Sequence, residues 1–167
     1  RGDVLVGYQS SGLHTNGYTL ARKICFDRLK LAVDAQVSEL GTTVGQALLE
    51  VHRSYASAVL PVLDSIHGIA HITGGGLAGN LVRVLPSTVE AVIDAGSWSW
   101  PPLFTFLMQA GRVSVDEMRD VFNLGVGLVA AVPADRVGRV EERAREVGIP
   151  TWIAGDVRAG QGGVRFA

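Results

Sequence analysis

The chain alternates between short apolar runs and segments in which apolar residues recur at helical spacing. The apolar runs predict strands. The C-terminal segment from Val157 to Phe166 is rich in glycine and is expected to add at most one edge strand. The predicted strands are Val4–Gly7, Ile69–Ile72, Ala91–Ile93, Gly125–Val132 and Thr151–Ala154.

Helical spacing and end signals predict the intervening helices. Ser114 and Glu117 match a capping box, and Gly111 and Gly148 stand where helices should stop. The apolar segment from Tyr55 to Ile66 suggests a strand that runs into a helix. The predicted helices are Tyr18–Val33, a short helix from Thr42 or Thr43 through Leu49, Leu77–Leu85, Pro101–Gln109, Val115–Phe122 and Val137–Val147.

This alternation indicates an α/β (α+β) sandwich in which helices pack on one or both faces of a mixed sheet. The 167 residues fit one domain, and the connection lengths leave the strand order open. A chain that starts at Arg1 and enters a strand almost at once looks like a piece of a longer protein.

The composition of the chain limits the kinds of molecule that it is expected to bind. The chain is 47% hydrophobic and 19% charged, which is typical of a packed globular protein, and its net charge of −1 gives no basis for binding nucleic acid. The apolar runs are too short for a membrane span, and no signal peptide is seen, so we expect a cytoplasmic protein. The single cysteine, Cys25, excludes an internal disulfide and is expected to be buried.

The first loop, Ser10–Gly17, lies between a predicted strand and a predicted helix. Backbone N–H groups and the helix dipole converge at such a loop and favour anions. Two interpretations stay open: a cradle for a phosphate or ribose phosphate, or a capped turn in which Ser10, Ser11 and Asn16 bond to local backbone. The loop lacks the Gly-Lys-Ser/Thr of a P-loop.

The second loop, His71–Gly76, ends in three glycines before a predicted helix. It allows close approach of the backbone to a ligand, and a flexible tight turn is the alternative. His14 and His71, beside the two loops, could bind phosphate as cations or transfer protons, or could be structural. No pair of histidines has metal-ligand spacing, so no metal site is expected.

Two further segments carry candidate chemistry. Asn123 stands at the mouth of a buried strand, followed by Gly125 and Gly127. Trp98 and Trp100 precede two prolines and could line a ligand surface, a domain interface or the core. No cluster of carboxylates is present to hold the Mg²⁺ that ATP chemistry needs.

Together these segments resemble the C-terminal half of the phosphoribosylformylglycinamidine cyclo-ligase (aminoimidazole ribonucleotide synthetase) family. The two loops are shared with relatives such as selenophosphate synthetase, whereas the Trp-Pro and Phe-Asn-x-Gly-x-Gly segments favour the cyclo-ligase. His52 stands where the family commonly has threonine, and Ser99 and Trp100 where proline and a small apolar residue are usual. The matching stretches are Gly2–Gly7, Ser10–Tyr18, His71–Gly76, Leu81–Pro86, Gly96–Trp98, Pro101–Pro102 and Phe122–Gly127.

The resemblance implies ATP-dependent closure of the imidazole ring of formylglycinamidine ribonucleotide in de novo purine biosynthesis, with ADP and phosphate as products. In this family the active site lies between two domains, and the N-terminal one forms the homodimer and supplies most of the Mg-ATP site. Residues 1–167 would then be the substrate-binding C-terminal half. We expect it to be inactive alone and to hold neither ATP nor Mg²⁺ by itself.

The resemblance also implies a site. His14 is the candidate for catalysis. The candidates for binding the ribonucleotide are Ser10, Ser11, Asn16, Thr73, Gly74, Gly75, Gly76 and Asn123. Two alternatives remain: a related ATP-dependent enzyme, similar to selenophosphate synthetase, or a non-catalytic module that binds ribose phosphates.

Overall fold

The structure is a computed structural model that describes residues 1–167. It contains eight strands and seven α-helices. The strands are β1 Val4–Gln9, β2 Gln36–Val37, β3 Thr42–Thr43, β4 Gly68–His71, β5 Val89–Ile93, β6 Val126–Val132, β7 Thr151–Ala159 and β8 Val164–Phe166. The helices are α1 Tyr18–Arg22, α2 Val44–Leu48, α3 Ala56–Val59, α4 Gly76–Leu81, α5 Pro102–Gly111, α6 Val115–Val121 and α7 Val137–Glu146. No helix has the length and apolarity needed to cross a membrane.

Six strands form one mixed sheet in the order β4-β6-β1-β7-β5-β8. All neighbouring pairs are antiparallel except β5 and β8, which are parallel. Because β1 and β4 both run antiparallel to β6, they point the same way. The loops that follow them therefore leave the sheet at the same edge. The predicted mixed sheet with packed helices is confirmed.

Both faces of the sheet are buried. Every residue of β6 is buried, and from Leu128 to Val132 alternate side chains enter opposite cores, as the pleat of a strand requires. Val129 and Ala131 pack with α4 on one face. Leu128 and Ala130 pack with α3 and α7 on the other.

A third core lies mainly among helices. Phe104 of α5 and Phe122 after α6 pack there with residues of α1 and α2. This helical layer carries the first loop, because Gly17 fits directly against the Phe122 ring. A Cβ on Gly17 would come within 2.3 Å of that ring. The buried Cys25 belongs to the same core.

Tertiary contacts shorten the predicted helix Tyr18–Val33. α1 ends at Arg22, a π-helical segment continues to Arg28, and Lys30 takes a left-handed φ of 55°. The following residues extend to meet α2, where the Gly45 N–H donates to the Val33 carbonyl oxygen at 2.7 Å. The prediction of one long helix is wrong because this packing competes with helical propensity.

Other predicted elements differ in their ends or type. No strand forms within 55–66, where α3 is followed by the 3₁₀ helix Leu60–Ser65, with Pro61 in its first turn. β7 is longer than predicted because its second half pairs with β5. Arg112, rather than Gly111, takes the left-handed conformation after α5. The edge strand near the end is confirmed as β8.

Candidate functional site

The first and second loops meet at one edge of the sheet. A Cβ on Gly74 would lie 3.6 Å from the Asn16 side-chain oxygen. His14 of the first loop and His71 at the end of β4 approach each other in the same place. This proximity follows from the parallel directions of β1 and β4, and it turns two separate sequence motifs into one site.

The first loop has an unusual backbone. His14 and Thr15 have φ values of 52° and 66°, and Gly17 has 73°. A left-handed φ is rare for a β-branched residue such as Thr15 and is often found at functional sites. The Asn16 side-chain amide donates to the His14 carbonyl oxygen at 2.7 Å, so the local bonding expected of a capped turn is present.

Ser10 and Asn123 form a buried support behind the first loop. The Ser10 hydroxyl donates to Asn123 Oδ1 at 2.9 Å, and Asn123 Nδ2 donates to the Gly12 carbonyl oxygen at 2.8 Å. The Gly125 N–H donates to the same Asn123 oxygen. Both side chains were predicted to contact substrate. The structure instead places them inside the fold, with their polar atoms used by the chain itself.

The second loop presents bare backbone. Gly74 and Gly75 are exposed, and their N–H groups make no hydrogen bond within the chain. Gly76 is buried, with a φ of 63°, and a Cβ there would lie 1.7 Å from the Arg119 carbonyl oxygen. Gly76 is therefore needed for packing α4 against α6, whereas Gly74 and Gly75 remain free to approach a ligand.

Asn80 holds the second loop in shape, and sequence reasoning missed it. Its side-chain oxygen accepts from the Thr73 hydroxyl at 2.8 Å, and its Nδ2 donates to the Gly76 carbonyl oxygen at 2.7 Å. A buried asparagine four residues after a glycine run, within an apolar helix, is the signal that could have identified it.

Three histidines form a cluster beside the loops: His14, His52 and His71. One ring nitrogen of each lies within 4.8 Å of the other two. The His14 ring stacks on His52 with centroids 4.1 Å apart, and the Nε2 atoms of His52 and His71 are 3.1 Å apart. Sequence spacing predicted neither the cluster nor a role for His52. The only signal was that His52 stands at a position where the family commonly has threonine.

The surroundings of His14 keep its ring neutral. Burial lowers the pKa of His14 to about 4, with further lowering from His52, His71 and Arg53. Burial and the nearby His52 also lower the pKa of His71. Of the two interpretations of His14, this favours a neutral ring over a cation that binds phosphate.

Hydrogen bonds also set the position of the His14 proton. The Ser11 N–H donates to His14 Nε2 at 2.9 Å, which leaves the ring proton on Nδ1. His14 Nδ1 is buried and has no partner. A neutral imidazole with one unused N–H is suited to donate a hydrogen bond.

Trp98 and Trp100 border the same cavity, and Trp98 also packs against a third tryptophan. Trp98 packs against Trp152 and donates from Nε1 to the Leu124 carbonyl oxygen at 2.9 Å. Trp98 and Trp100 both line a cavity of about 180 Å³, which Phe166 also borders. Trp98 is thus a packing residue and a wall of a small apolar cavity at once.

The one group of three possible metal-ligating side chains in this chain contains no carboxylate. Apart from the three histidines, no three His, Cys, Asp or Glu side chains lie close enough together to hold an ion. Mg²⁺ prefers oxygen ligands, so an all-histidine group does not suit it.

The chain is similar in sequence to proteins of known name. Phosphoribosylformylglycinamidine cyclo-ligase of Desulfatibacillum aliphaticivorans is 45% identical over 95% of this chain and 46% of its own length. The protein of the same name from Geobacillus kaustophilus (strain HTA426) is 45% identical over 99% of this chain and 48% of its own. The chain therefore spans about half the length of the curated relatives it matches.

The fold itself is found more widely. The crystal structure of thiamine-monophosphate kinase from Stenotrophomonas maltophilia K279a matches with a TM-score of 0.67 and 18% identity, over 99% of this chain and 50% of that one. At that identity the likeness shows the fold alone. The family described as AIR synthase related protein, C-terminal domain, matches residues 1–167. The chain belongs to this family.

Proposed function

We propose that this chain is the substrate-binding C-terminal half of a phosphoribosylformylglycinamidine cyclo-ligase. The observation that carries the proposal is the meeting of the first and second loops around His14, in a chain whose curated relatives bear that name. The enzyme would be a C–N bond-forming ligase of purine biosynthesis. It would convert formylglycinamidine ribonucleotide and ATP to aminoimidazole ribonucleotide, ADP and phosphate.

The other half of the enzyme would supply the Mg-ATP site and the homodimer contacts. The chain spans only about half the length of its curated relatives, which supports that division. A cleft between the two halves would hold the ribonucleotide. The chain alone would then be inactive.

Within the cleft, the second loop would bind the phosphate of the ribonucleotide. The free N–H groups of Gly74 and Gly75, with no side chains in the way, suit an anion. Asn16 lies beside Gly74, and Thr73 directly precedes Gly74 in the chain. Asn16 and Thr73 would both contact the sugar phosphate. Ser10 and Asn123 would act indirectly, by holding the first loop in place.

His14 would stabilise charge as a neutral donor. Because its pKa is about 4, the ring carries no charge at neutral pH. Its Nδ1–H has no partner but is buried, so the site would have to open before this group could donate to negative charge that develops on the substrate during ring closure. The Ser11 N–H would keep the ring in the tautomer that this role needs.

The test is turnover by the full-length protein that contains this chain. We expect ATP-dependent formation of aminoimidazole ribonucleotide, and none from residues 1–167 alone. Asn16→Ala should raise KM about tenfold, since it removes a hydrogen-bonding group. His14→Gln should lower kcat about 10²-fold. His67→Gln is the matched control, because His67 is exposed and pairs with Asp3.

Three results would contradict the proposal. Robust turnover by residues 1–167 alone would remove the need for a second half. Release of phosphate with selenide or thiamine monophosphate, but not with the formylglycinamidine substrate, would favour a related enzyme. Binding of ribose phosphates by a full-length protein without any turnover would favour a non-catalytic module.

A further inference from the structure

We propose that His14, His52 and His71 form a binding site for one divalent transition-metal ion, with Zn²⁺ as the best match. Each histidine comes from a different segment: the first loop, the connection between α2 and α3, and the end of β4. One ring nitrogen of each lies within 4.8 Å of the other two. An ion bound here would join three segments that the sequence keeps far apart.

The spacing suits a small ion. Zinc–nitrogen bonds are about 2.0–2.1 Å, so two nitrogens on a tetrahedral ion lie about 3.3 Å apart. The Nε2 atoms of His52 and His71 are 3.1 Å apart. His14 is fully buried, whereas His52 is half-buried and His71 exposed, so the two outer rings have room to turn toward a common ion.

His14 supplies an unused ring nitrogen. Its Nδ1 is buried without a partner, and an ion bound there would satisfy it in place of the donor role proposed above for ring closure. The ring proton would then move to Nε2, where the Ser11 hydroxyl oxygen, 2.9 Å away, can accept it. This shift of the proton breaks the hydrogen bond that the Ser11 N–H donates to Nε2. In its place the ring donates to the Ser11 hydroxyl, and metal-bound histidines usually donate in this way from their other ring nitrogen.

The donor set defines the class of ion. Three imidazoles with no carboxylate suit zinc, cobalt, nickel or copper, and do not suit magnesium or calcium. Three protein ligands on zinc leave the fourth position open to water or to a bound molecule. The site is therefore distinct from the magnesium that the proposed reaction needs.

The test is titration of the protein with Zn²⁺ and Co²⁺ near neutral pH by calorimetry. We expect one ion per chain and, for Co²⁺, the visible absorption of a four-coordinate complex. His52→Ala and His71→Ala should each weaken binding at least about tenfold. Both positions lie outside the buried core, and circular dichroism checks that the variants fold. His67→Ala is the control, because His67 lies outside the cluster.

Unchanged stoichiometry and affinity in both variants would overturn the proposal, as would a Co²⁺ spectrum of six-coordinate type. The titration uses neither ATP nor the ribonucleotide. If no zinc binds, the proposed ligase function is therefore untouched. If the full-length protein binds zinc but shows no turnover, the zinc site stands and the ligase function fails.

Discussion

His14 owes its chemistry to neighbours that are remote in the sequence. The rings of His52 and His71 and the burial of the site make it neutral, and the Ser11 N–H sets its tautomer. Sequence reasoning singled out His14 from its place in the first loop and from the family resemblance. It could not identify the charge state, because burial and the other two rings come from the fold.

Protonation of His14 should make the protein less stable in mild acid. The pKa of His14 is about 4 in the folded protein and 6.5 when the group is unperturbed. The unfolded chain therefore binds a proton between these values that the folded chain does not. The free energy of unfolding should fall as the pH drops through this window, by a total on the order of 3 kcal/mol. The lowered pKa of His71 acts in the same direction.

Urea unfolding at neutral pH and in mild acid measures this effect. His14→Gln should flatten the pH dependence even if it lowers stability overall. His67→Gln should keep the full dependence, since His67 is outside the cluster. Equal pH dependence in His14→Gln and the parent protein would show that another group is responsible.

The short elements around the site depend partly on local signals and partly on packing. Thr43 caps α2 with a complete capping box, and the Ser114 hydroxyl accepts from the Glu117 N–H at the start of α6, as predicted. These interactions lie within four residues, so the sequence shows them directly. The close contact between α4 and α6 does not appear in the sequence, although it explains one of the three glycines.

Two glycines of α4 should respond in opposite ways to the same change. Gly76→Ala puts a Cβ against the Arg119 carbonyl oxygen at a left-handed φ, and should destabilise the protein by about 2–4 kcal/mol. Gly79→Ala meets nothing within 4 Å and should stabilise the helix by about 0.5–1 kcal/mol. Thermal or urea unfolding of the two variants measures both effects. Equal effects would mean that α4 and α6 are not packed as described.

The whole molecule rests on three cores that share no residue. β6 joins the two cores on either side of the sheet, and the third core lies mainly among helices. The first loop connects this helical layer to the sheet, since Leu13 packs in the helical core and the Ser10 N–H donates to the Gly125 carbonyl oxygen beside β6 at 2.8 Å. We therefore expect the layers to unfold together.

Phe104→Ala tests that coupling. Phe104 is fully buried in the helical core, and its truncation should lower the free energy of unfolding by about 3–5 kcal/mol. The urea midpoints from circular dichroism and tryptophan fluorescence should shift together. Leu60→Ala is the control, since Leu60 is 66% exposed and should change stability by less than about 0.5 kcal/mol. Separate midpoints in Phe104→Ala would mean that the helical layer unfolds on its own.

Local patterns were enough to predict most strands, the capped helices and the two loops, because strand alternation, caps and turns depend on residues close in sequence. The folded chain alone brings His14, His52 and His71 together and joins Ser10 to Asn123, which are 113 residues apart. It also ends the first helix early, against its local propensity. The meeting of the histidines depends on β1 and β4 running in the same direction on either side of β6, an order that no local pattern specifies.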